Sequence, residues 1–457
     1  MKKLFTIFVL AFVLVLGACS SANNTPNNDG NNNGNNNGDN NGAEKVVLKI
    51  TGLDGGYGRE HWDELAAKFE AAHEGVTVEL ELAQNIHEVL RPQIQAGNTP
   101  DIIYLSVNSE GGLVDTMVRE KQLEDISALY EMTVPNESVT VGEKLLPGFV
   151  ENLIISPYGD GKSYMAPLFY SPTGLFYNAD LVGEGKTYEV PETFEEFLAL
   201  GQQAAGDGVA LVTYPTAGYF DGFIFSILNM AVGPEEFAKL MNYDVEAWQS
   251  EDVKDAFIKV GEMLEYVHEN TVSQANGNDF VKNQQMVLDN DALFIPNGTW
   301  LPGEMADAPR VDGFEWGMTA LPALEVGGDR YALSFFEQAY VPTGAKNKDL
   351  ALEFLAYLYS DEAAQIIYDK GKGAVQPIVG SENLMEGDEL NQTFYSIYSD
   401  GAKAALGGFA AVESVEGVNI ADVLFEQINA VANKTVSAES WYDSVVDAIG
   451  TLAEQNQ

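Results

Sequence analysis

The chain has a single cysteine, Cys19, among 457 residues, which excludes an internal disulfide framework and a cysteine-rich zinc site. Histidine is almost as scarce. Its four copies, His61, His73, His87 and His268, argue against a histidine-rich metal centre, and neither a metal nor a cofactor is expected. Basic residues number 24 against 69 acidic ones, for a formal net charge of −45. Affinity for phosphates comes from clustered Lys and Arg, so nucleic acid and anionic membrane surfaces are excluded as electrostatic partners. No H-E-x-x-H and no G-x-S-x-G run occurs, so the common zinc-hydrolase and serine-hydrolase signatures are missing. Apolar material is plentiful. At 46% apolar and 20% charged residues the chain can bury a large core, and its length suggests two or three domains.

The N-terminus reads as an address. Lys2 and Lys3 precede an almost unbroken apolar run of 13 residues from Leu4 to Leu16. A spanning helix needs about 20 residues, so residues 1–19 are expected to be a secretory signal. The run ends Leu16-Gly17-Ala18-Cys19, which resembles a bacterial lipobox, and by that resemblance Cys19 becomes the lipidated first residue. Residues 20–43 follow with 12 asparagines and interspersed glycine. Such a stretch buries too little apolar surface to offset its ordering entropy, so a disordered tether is expected. As a flexible coil it spans roughly 25–30 Å. Asp29, Asn31, Asn33 and Gly34 imitate the start of an EF-hand loop. Position twelve is Asn40 rather than a bidentate Glu, which rules out calcium there.

From residue 44 onward strand and helix signals alternate. Residues 45–51 (KVVLKIT) read as a strand, and Trp62, Leu65, Phe69 and Ala72 recur at helical spacing. Residues 76–82 alternate as a strand, 86–96 read as a helix, and 101–105 (DIIYL) as a buried, parallel strand. This rhythm predicts an α/β layered fold. Thr193 and Glu196 form a capping box that opens a helix. Val253, Phe257, Val260, Leu264 and Val267 predict another, and 349–359 and 361–369 two more, the last closed by Gly371.

Local chemistry is thin. Gly52, Gly55, Gly56 and Gly58 lie between a strand and a helix, but their spacing is neither G-x-G-x-x-G nor a P-loop. Paired carboxylates hydrolyse glycosides, yet any pair chosen from 69 acids is meaningless without geometry. Aromatic residues beside turn formers carry more information: Tyr57, Phe169-Tyr170-Ser-Pro, Tyr219-Phe220-Asp221-Gly, Asn297-Gly-Thr-Trp300 and Phe335-Phe336-Glu-Gln338. A ring on a loop stacks on the apolar face of a sugar, while Asn, Asp and Gln bond its hydroxyls. For most of these residues core packing competes with that role. Trp300, between Gly298 and Pro302, is expected to face a cleft.

Several segments together resemble the extracellular solute-binding proteins of bacterial ABC importers, in the carbohydrate-binding group that includes maltose-binding protein. They are Thr99-Pro-Asp-Ile-Ile-Tyr104 with Gly111-Gly112, then Asp160-Gly-Lys-Ser-Tyr-Met-Ala-Pro167 leading to Leu175-Phe-Tyr-Asn-Ala-Asp-Leu181. Asn297-Gly-Thr-Trp300, Gly317-Met-Thr-Ala-Leu-Pro322 and the stretch from Asn347 to Phe354 and Ser360-Asp-Glu follow. Their order covers nearly all of 45–450.

The resemblance implies a two-lobed periplasmic-binding-protein-like fold of type II, with a ligand cleft and three crossings between lobes, near 167–170, 334–336 and 376–377. Lobe one is expected over 44–168 plus 336–376, and lobe two over 169–335 plus 377–457. It implies ligand-binding roles for Asp54, Tyr57, Asn108, Tyr170, Tyr219, Asp221, Asn297, Trp300, Phe336 and Gln338, and no catalytic residue. The implied partners are a small-molecule carbohydrate, the transmembrane subunits of an ABC permease, and the membrane through a lipid at Cys19, with the protein a monomer on the extracytoplasmic face. The chain departs from the maltose pattern at Leu105, Asn108 and Ser171, where relatives carry an aromatic, an Asp and a Glu. An oligosaccharide or an N-acetylated amino sugar both suit such a cleft. A polyamine (with Asp54, Asp221 and Glu337), a peptide, and a secreted glycoside hydrolase stay open as alternatives.

Overall fold

The structure, a computed structural model, describes residues 46–454 apart from 56, 108, 110–111, 151, 216–219, 276–279, 411 and 413–414. The expected signal, Cys19, the tether, Asn108 and Tyr219 lie outside the described residues.

The β-branched opening forms strand β1 (Val46–Leu53), followed by helix α1 (Glu60–Ala72), β2 (Val76–Ala83), α2 (Ile86–Gln95) and β3 (Ile102–Tyr104). Both β2 and β3 pair with β1 in parallel, which is the arrangement the alternation implied. Helix α1 buries Trp62, Leu65 and Phe69 on one face; Ala72, at the helix end, is exposed. Helix α3 (Leu113–Arg119) follows, then the long strand β4 (Ala166–Asn178).

The Thr193 capping box is present at the start of α4 (Phe194–Asp207). Thr193 Oγ1 accepts from the Glu196 N–H at 3.2 Å, and Glu196 Oε2 accepts from the Thr193 N–H at 3.1 Å. Two otherwise orphaned donors are thereby satisfied. Next come β5 (Ala210–Val212) and α5 (Phe220–Met241), the latter broken at Gly233 (φ 77°, ψ 167°) ahead of Pro234. Helix α6 (Glu251–Met263) buries Val253, Phe257 and Val260. It stops sooner than the spacing predicted. Leu264–Tyr266 tighten into a 3₁₀ turn, and Val267 leaves in extended conformation to bridge Val212. The remaining elements used below are β6 (Ala292–Gly298), β7 (Trp316–Thr319), β8 (Tyr331–Tyr340), α7 (Lys348–Leu358), α8 (Asp361–Lys370), β9 (Lys403–Ala405) and α9 (Ala438–Ala453).

The sheet runs β2-β1-β3-β8-β4-β6-β5, with β7 also on β4 and β9 also on β8. Two strands belong to both halves of it. β4 pairs with β8 over residues 166–172 and with β6 over 173–177. β8 pairs with β9 at 331–333, with β4 at 334–339 and with β3 at its end. A third segment runs beside them, with the Tyr170 N–H donating to Val375 O at 2.8 Å and the Leu146 N–H to Pro377 O at 2.9 Å.

Two hydrophobic cores flank this junction. One gathers β1, α1, β3, α7 and α8; the other gathers α4, α5, α6 and α9. Most acids stay at the surface. Among the described residues Asp101 is the one fully buried carboxylate, and it accepts four N–H bonds: Lys49 N–H (3.0 Å), Lys346 N–H (2.9 Å), Asn347 N–H (2.8 Å) and Asn347 Nδ2 (3.0 Å).

Candidate functional site

Residues opposite one another in an antiparallel pair share a face of the sheet. Phe169 stands opposite Glu337, and Ser171 opposite Phe335; Tyr170 stands opposite Phe336 on the reverse side. Along β8 only Phe335 and Glu337 keep appreciable exposure. The β4–β8 ribbon therefore has one open face and one sealed face.

The sealed face holds three residues that the sequence reading assigned to ligand. Tyr170 is 1% exposed, hydrogen-bonded to Ser381 Oγ at 3.0 Å and packed edge-on against Phe149 and Tyr395. Phe336 lies edge-on to Phe149 at 5.6 Å. Gln338 is 2% exposed, and its Oε1 accepts from the Val107 N–H at 3.1 Å. These side chains form the framework behind the open face, because strand side chains alternate and an offset of one residue selects the opposite side. Asn297 is likewise buried at the end of β6. Its Oδ1 accepts from the Gly298 N–H at 2.8 Å, while its Nδ2 has no partner among the described residues.

The open face is built from both cores. On one side the loop after β1 brings half-buried Asp54 and Tyr57. The Asp54 N–H donates to Ala83 O at 3.2 Å, and the Gly58 N–H to Gly55 O at 3.0 Å, so the loop is shaped by its own backbone. Tyr57 covers Phe169 edge-on at 5.2 Å, and His61, Trp62 and Tyr104 surround the same ring. The Tyr104 hydroxyl donates to Glu337 Oε2.

On the other side, Trp300 follows β6, half-buried rather than freely exposed, and leans on Phe335 at 5.8 Å. Ser171 and Thr299 share a hydroxyl–hydroxyl bond, and Tyr395 lies within hydrogen-bonding reach of both. Asp221 opens α5. The next residue, Gly222, packs so closely on Thr173 that a β-carbon there would stand 2.7 Å from Oγ1. Thr173 is paired with Gly298, beneath Trp300, so Gly222, Thr173, Gly298, Trp300 and Phe335 form a continuous wall, with Asp221 next to it in the chain.

The electrostatics of the open face are unusual for so acidic a chain. Burial pushes the Glu337 carboxyl up to about 7. It pushes Asp221 up to about 6, against the opposing pull of the Gly222 N–H. Tyr57 is raised by burial first, then by Tyr395 and Glu337 nearby. Beneath the face, burial holds His61 down to about 4. All three shifts run towards the neutral form, because low dielectric penalises charge; at neutral pH Glu337 is near its midpoint and Asp221 is still mostly ionised.

A cavity of about 300 Å³ lies between the cores, with Val107 and Tyr158 from one and Phe409 and Val412 from the other, and it too is lined by none of the open-face residues. A larger one, about 620 Å³, lies among Asn229, Asp252, Asp255, Lys259 and Asp329 and includes none of the residues of the open face. Sequence reasoning assigned no sugar contact to Phe335, Glu337, Ser171, Thr299 or Tyr395, naming Glu337 only for a polyamine and Ser171 only as a departure from the maltose pattern. Phe335 and Glu337 stand within the Phe-Phe-Glu-Gln motif, one position from the residues it selected.

Two lobes meeting at a ribbon, with aromatic and polar groups from each on one open face, define a two-lobed α/β binding fold. A model of the bacterial extracellular solute-binding protein family matches residues 55–365, and the chain belongs to that family. Membership places it outside the cytoplasm. It is 28% identical over 324 residues to a diacetylchitobiose binding protein of Streptomyces coelicolor, an alignment covering 68% of this chain and 65% of that one. It is 23% identical over 330 residues to a galactooligosaccharide-binding protein of Bacillus subtilis, covering 70% and 72%. Among solved structures, a bacterial solute receptor with an exclusive preference for β-D-galactopyranose superposes with a TM-score of 0.68 at 17% identity, over 90% of this chain and 100% of that one.

Proposed function

We propose that the chain is the lipid-anchored binding component of an ABC importer, capturing a neutral sugar and delivering it to the permease. The observation that carries this reading is the open face itself. Tyr57, packed on one core, and Trp300, leaning on Phe335 of the other, flank Glu337 in a chain whose relatives are named for the sugars they bind. Aromatic faces stack on sugar rings, and closure of the two lobes would bury contacts from both. We assign ligand contact to Asp54, Tyr57, Asp221, Trp300, Phe335 and Glu337, and retain Asn108 and Tyr219 on the family resemblance. Tyr170, Asn297, Phe336 and Gln338 are assigned to the support behind them.

The lobes are taken as 44–168 plus 336–376 and 169–335 plus 377–457, with Cys19 as the lipidated residue and 20–43 as the tether. An oligosaccharide or an N-acetylated amino sugar fits the aromatic face better than a polyamine does, since a polyamine needs ionised acids and burial withholds part of the charge of Glu337. Binding requires no covalent step, so no hydrolytic role is assigned.

A thermal-shift panel tests the reading. Diacetylchitobiose, galactooligosaccharides, monosaccharides, spermidine and peptides are each added in excess to the purified protein, because ligand selective for the folded state raises its apparent stability. A shift with a neutral sugar supports the reading. A shift with spermidine or peptides alone, or turnover of a chromogenic glycoside, refutes it. Replacing Cys19 by Ala should release the protein from the cell surface and abolish fatty-acid labelling.

A further inference from the structure

Glu337 is the one carboxyl on the open face set directly in the ribbon between the cores. It faces Phe169 across β4, with Tyr104 reaching it from β3 and Tyr57 standing close by from the loop after β1. From α1, His61 packs against Phe169 and is held neutral by burial. The titratable groups around Glu337 are thus two phenols and a neutral imidazole, with the Tyr395 phenol beyond Tyr57. Among the described residues no cation pairs with Glu337. Arg59 of the neighbouring loop is exposed and held in a fork by Asp63 at 3.1 and 2.9 Å, and Lys372 lies against Gly58 of that loop. A carboxylate here would lose water and gain only the Tyr104 hydroxyl in return, and such a group keeps its proton instead.

We propose that Glu337 meets the captured sugar as a neutral carboxylic acid, accepting from Tyr104 at Oε2 and donating its proton through Oε1 to an oxygen of the ligand. The inference rests on the neutral-sugar reading and narrows it. A carboxylic acid selects a ligand that presents an acceptor, best of all an amide carbonyl such as an acetamido group. It also withholds the negative charge that an ammonium would need. Burial, which raises the Glu337 carboxyl to about 7, supplies the proton at neutral pH. If only the acid form binds, affinity scales with the protonated fraction and falls about 100-fold between pH 6 and pH 9.

Calorimetric titration of the full chain with diacetylchitobiose, or with whichever panel sugar shifts the melting temperature at pH 6, tests this from pH 6 to pH 9. The wild type should weaken above pH 7 and take up close to one proton (about 0.9) per sugar bound at pH 8, read from buffers of different ionisation enthalpy. Glu337→Gln, which keeps a donor but does not titrate, should bind with little dependence on pH over this range. A flat wild-type profile without proton uptake overturns the proposal, and so does an equal fall in wild type and variant, which would assign the proton elsewhere. Proton uptake is measured on the wild type alone, so that measurement stands whether or not the variant folds. Failure of every sugar to shift the melting temperature at pH 6 instead removes the neutral-sugar reading, and this proposal with it.

Discussion

The indole of Trp300 lies over Gly298, so that a β-carbon added to the glycine would stand within 2.5 Å of atoms of its six-membered ring. The glycine ends β6, and its missing side chain lets the ring fold back over the strand and meet Phe335. The two residues act as one unit: Gly298 sets where the platform stands, and Trp300 supplies its surface.

Gly298→Ala is therefore expected to displace the indole and weaken sugar binding about 10-fold or more, while shifting the unfolding midpoint little. Trp300→Ala should cost on the order of 1–3 kcal/mol of binding, as for one buried aromatic anchor. Calorimetric titration beside a thermal melt separates the two effects. Unchanged affinity in both variants removes Trp300 from the site.

The faces of β8 give a paired prediction. Phe335→Ala, on the open face, should weaken sugar binding about 10-fold with a modest loss of stability. Phe336→Ala, on the sealed face against Phe149, should cost roughly 3–5 kcal/mol of stability, as expected for a buried phenylalanine. Urea unfolding and titration of both variants decide it. The reverse pattern would show that the ligand lies on the Tyr170 side.

That pair also marks where the sequence was legible and where it was not. The Thr193–Glu196 capping box and the alternation through β1, α1 and β2 were readable because their determinants lie within a few residues of one another. The open face was not. β4 is buried along almost its whole length, so its apolar run carries no alternation to tell one side from the other. In β8 the signal is two half-exposed positions, Phe335 and Glu337, embedded among buried ones. The bond between Tyr104 and Glu337 joins residues 233 positions apart, which no local pattern reveals. Trp300 was readable as an aromatic on a turn, but its half-buried state follows from Gly298 and Phe335.

Opposed titrations beneath the site should shape stability against pH. His61 is held at about 4, below its ordinary 6.5, so the unfolded chain takes the proton first as pH falls. Its contribution is present above pH 6.5 and lost towards pH 4. Glu337 is raised to about 7 from 4.5, so its contribution is present below pH 4.5 and lost as pH rises to 7, and Asp221 acts in the same sense up to about 6. His61→Phe leaves the acidic groups unopposed. Between pH 6.5 and pH 4.5 it should gain stability relative to wild type by on the order of 2 kcal/mol, read from urea unfolding at several pH values. Parallel curves for the two proteins would show that His61 does not titrate in this way.

The buried carboxylate of Asp101 gives the sharpest stability test, since its two oxygens take four N–H bonds from Lys49, Lys346 and Asn347. These bonds tie β1 to the turn that opens α7, where β1 meets a segment 300 residues later, Asn347 Nδ2 also donating to Val47 O. Asp101→Ala removes every acceptor and leaves the donors unpaired in a closed site, where each costs about 1–3 kcal/mol. Water entering the vacated space recovers part of that, so a loss on the order of 3–5 kcal/mol is expected in denaturant unfolding. Asp101→Asn keeps one acceptor oxygen but turns an amide NH₂ towards N–H groups that cannot receive it, and should fall between the two. Neither change touches Trp300 or Glu337, so sugar affinity, measured where the variants are still folded, should remain near the wild-type value. A loss of affinity at full stability would mean that this joint also sets the position of the cleft.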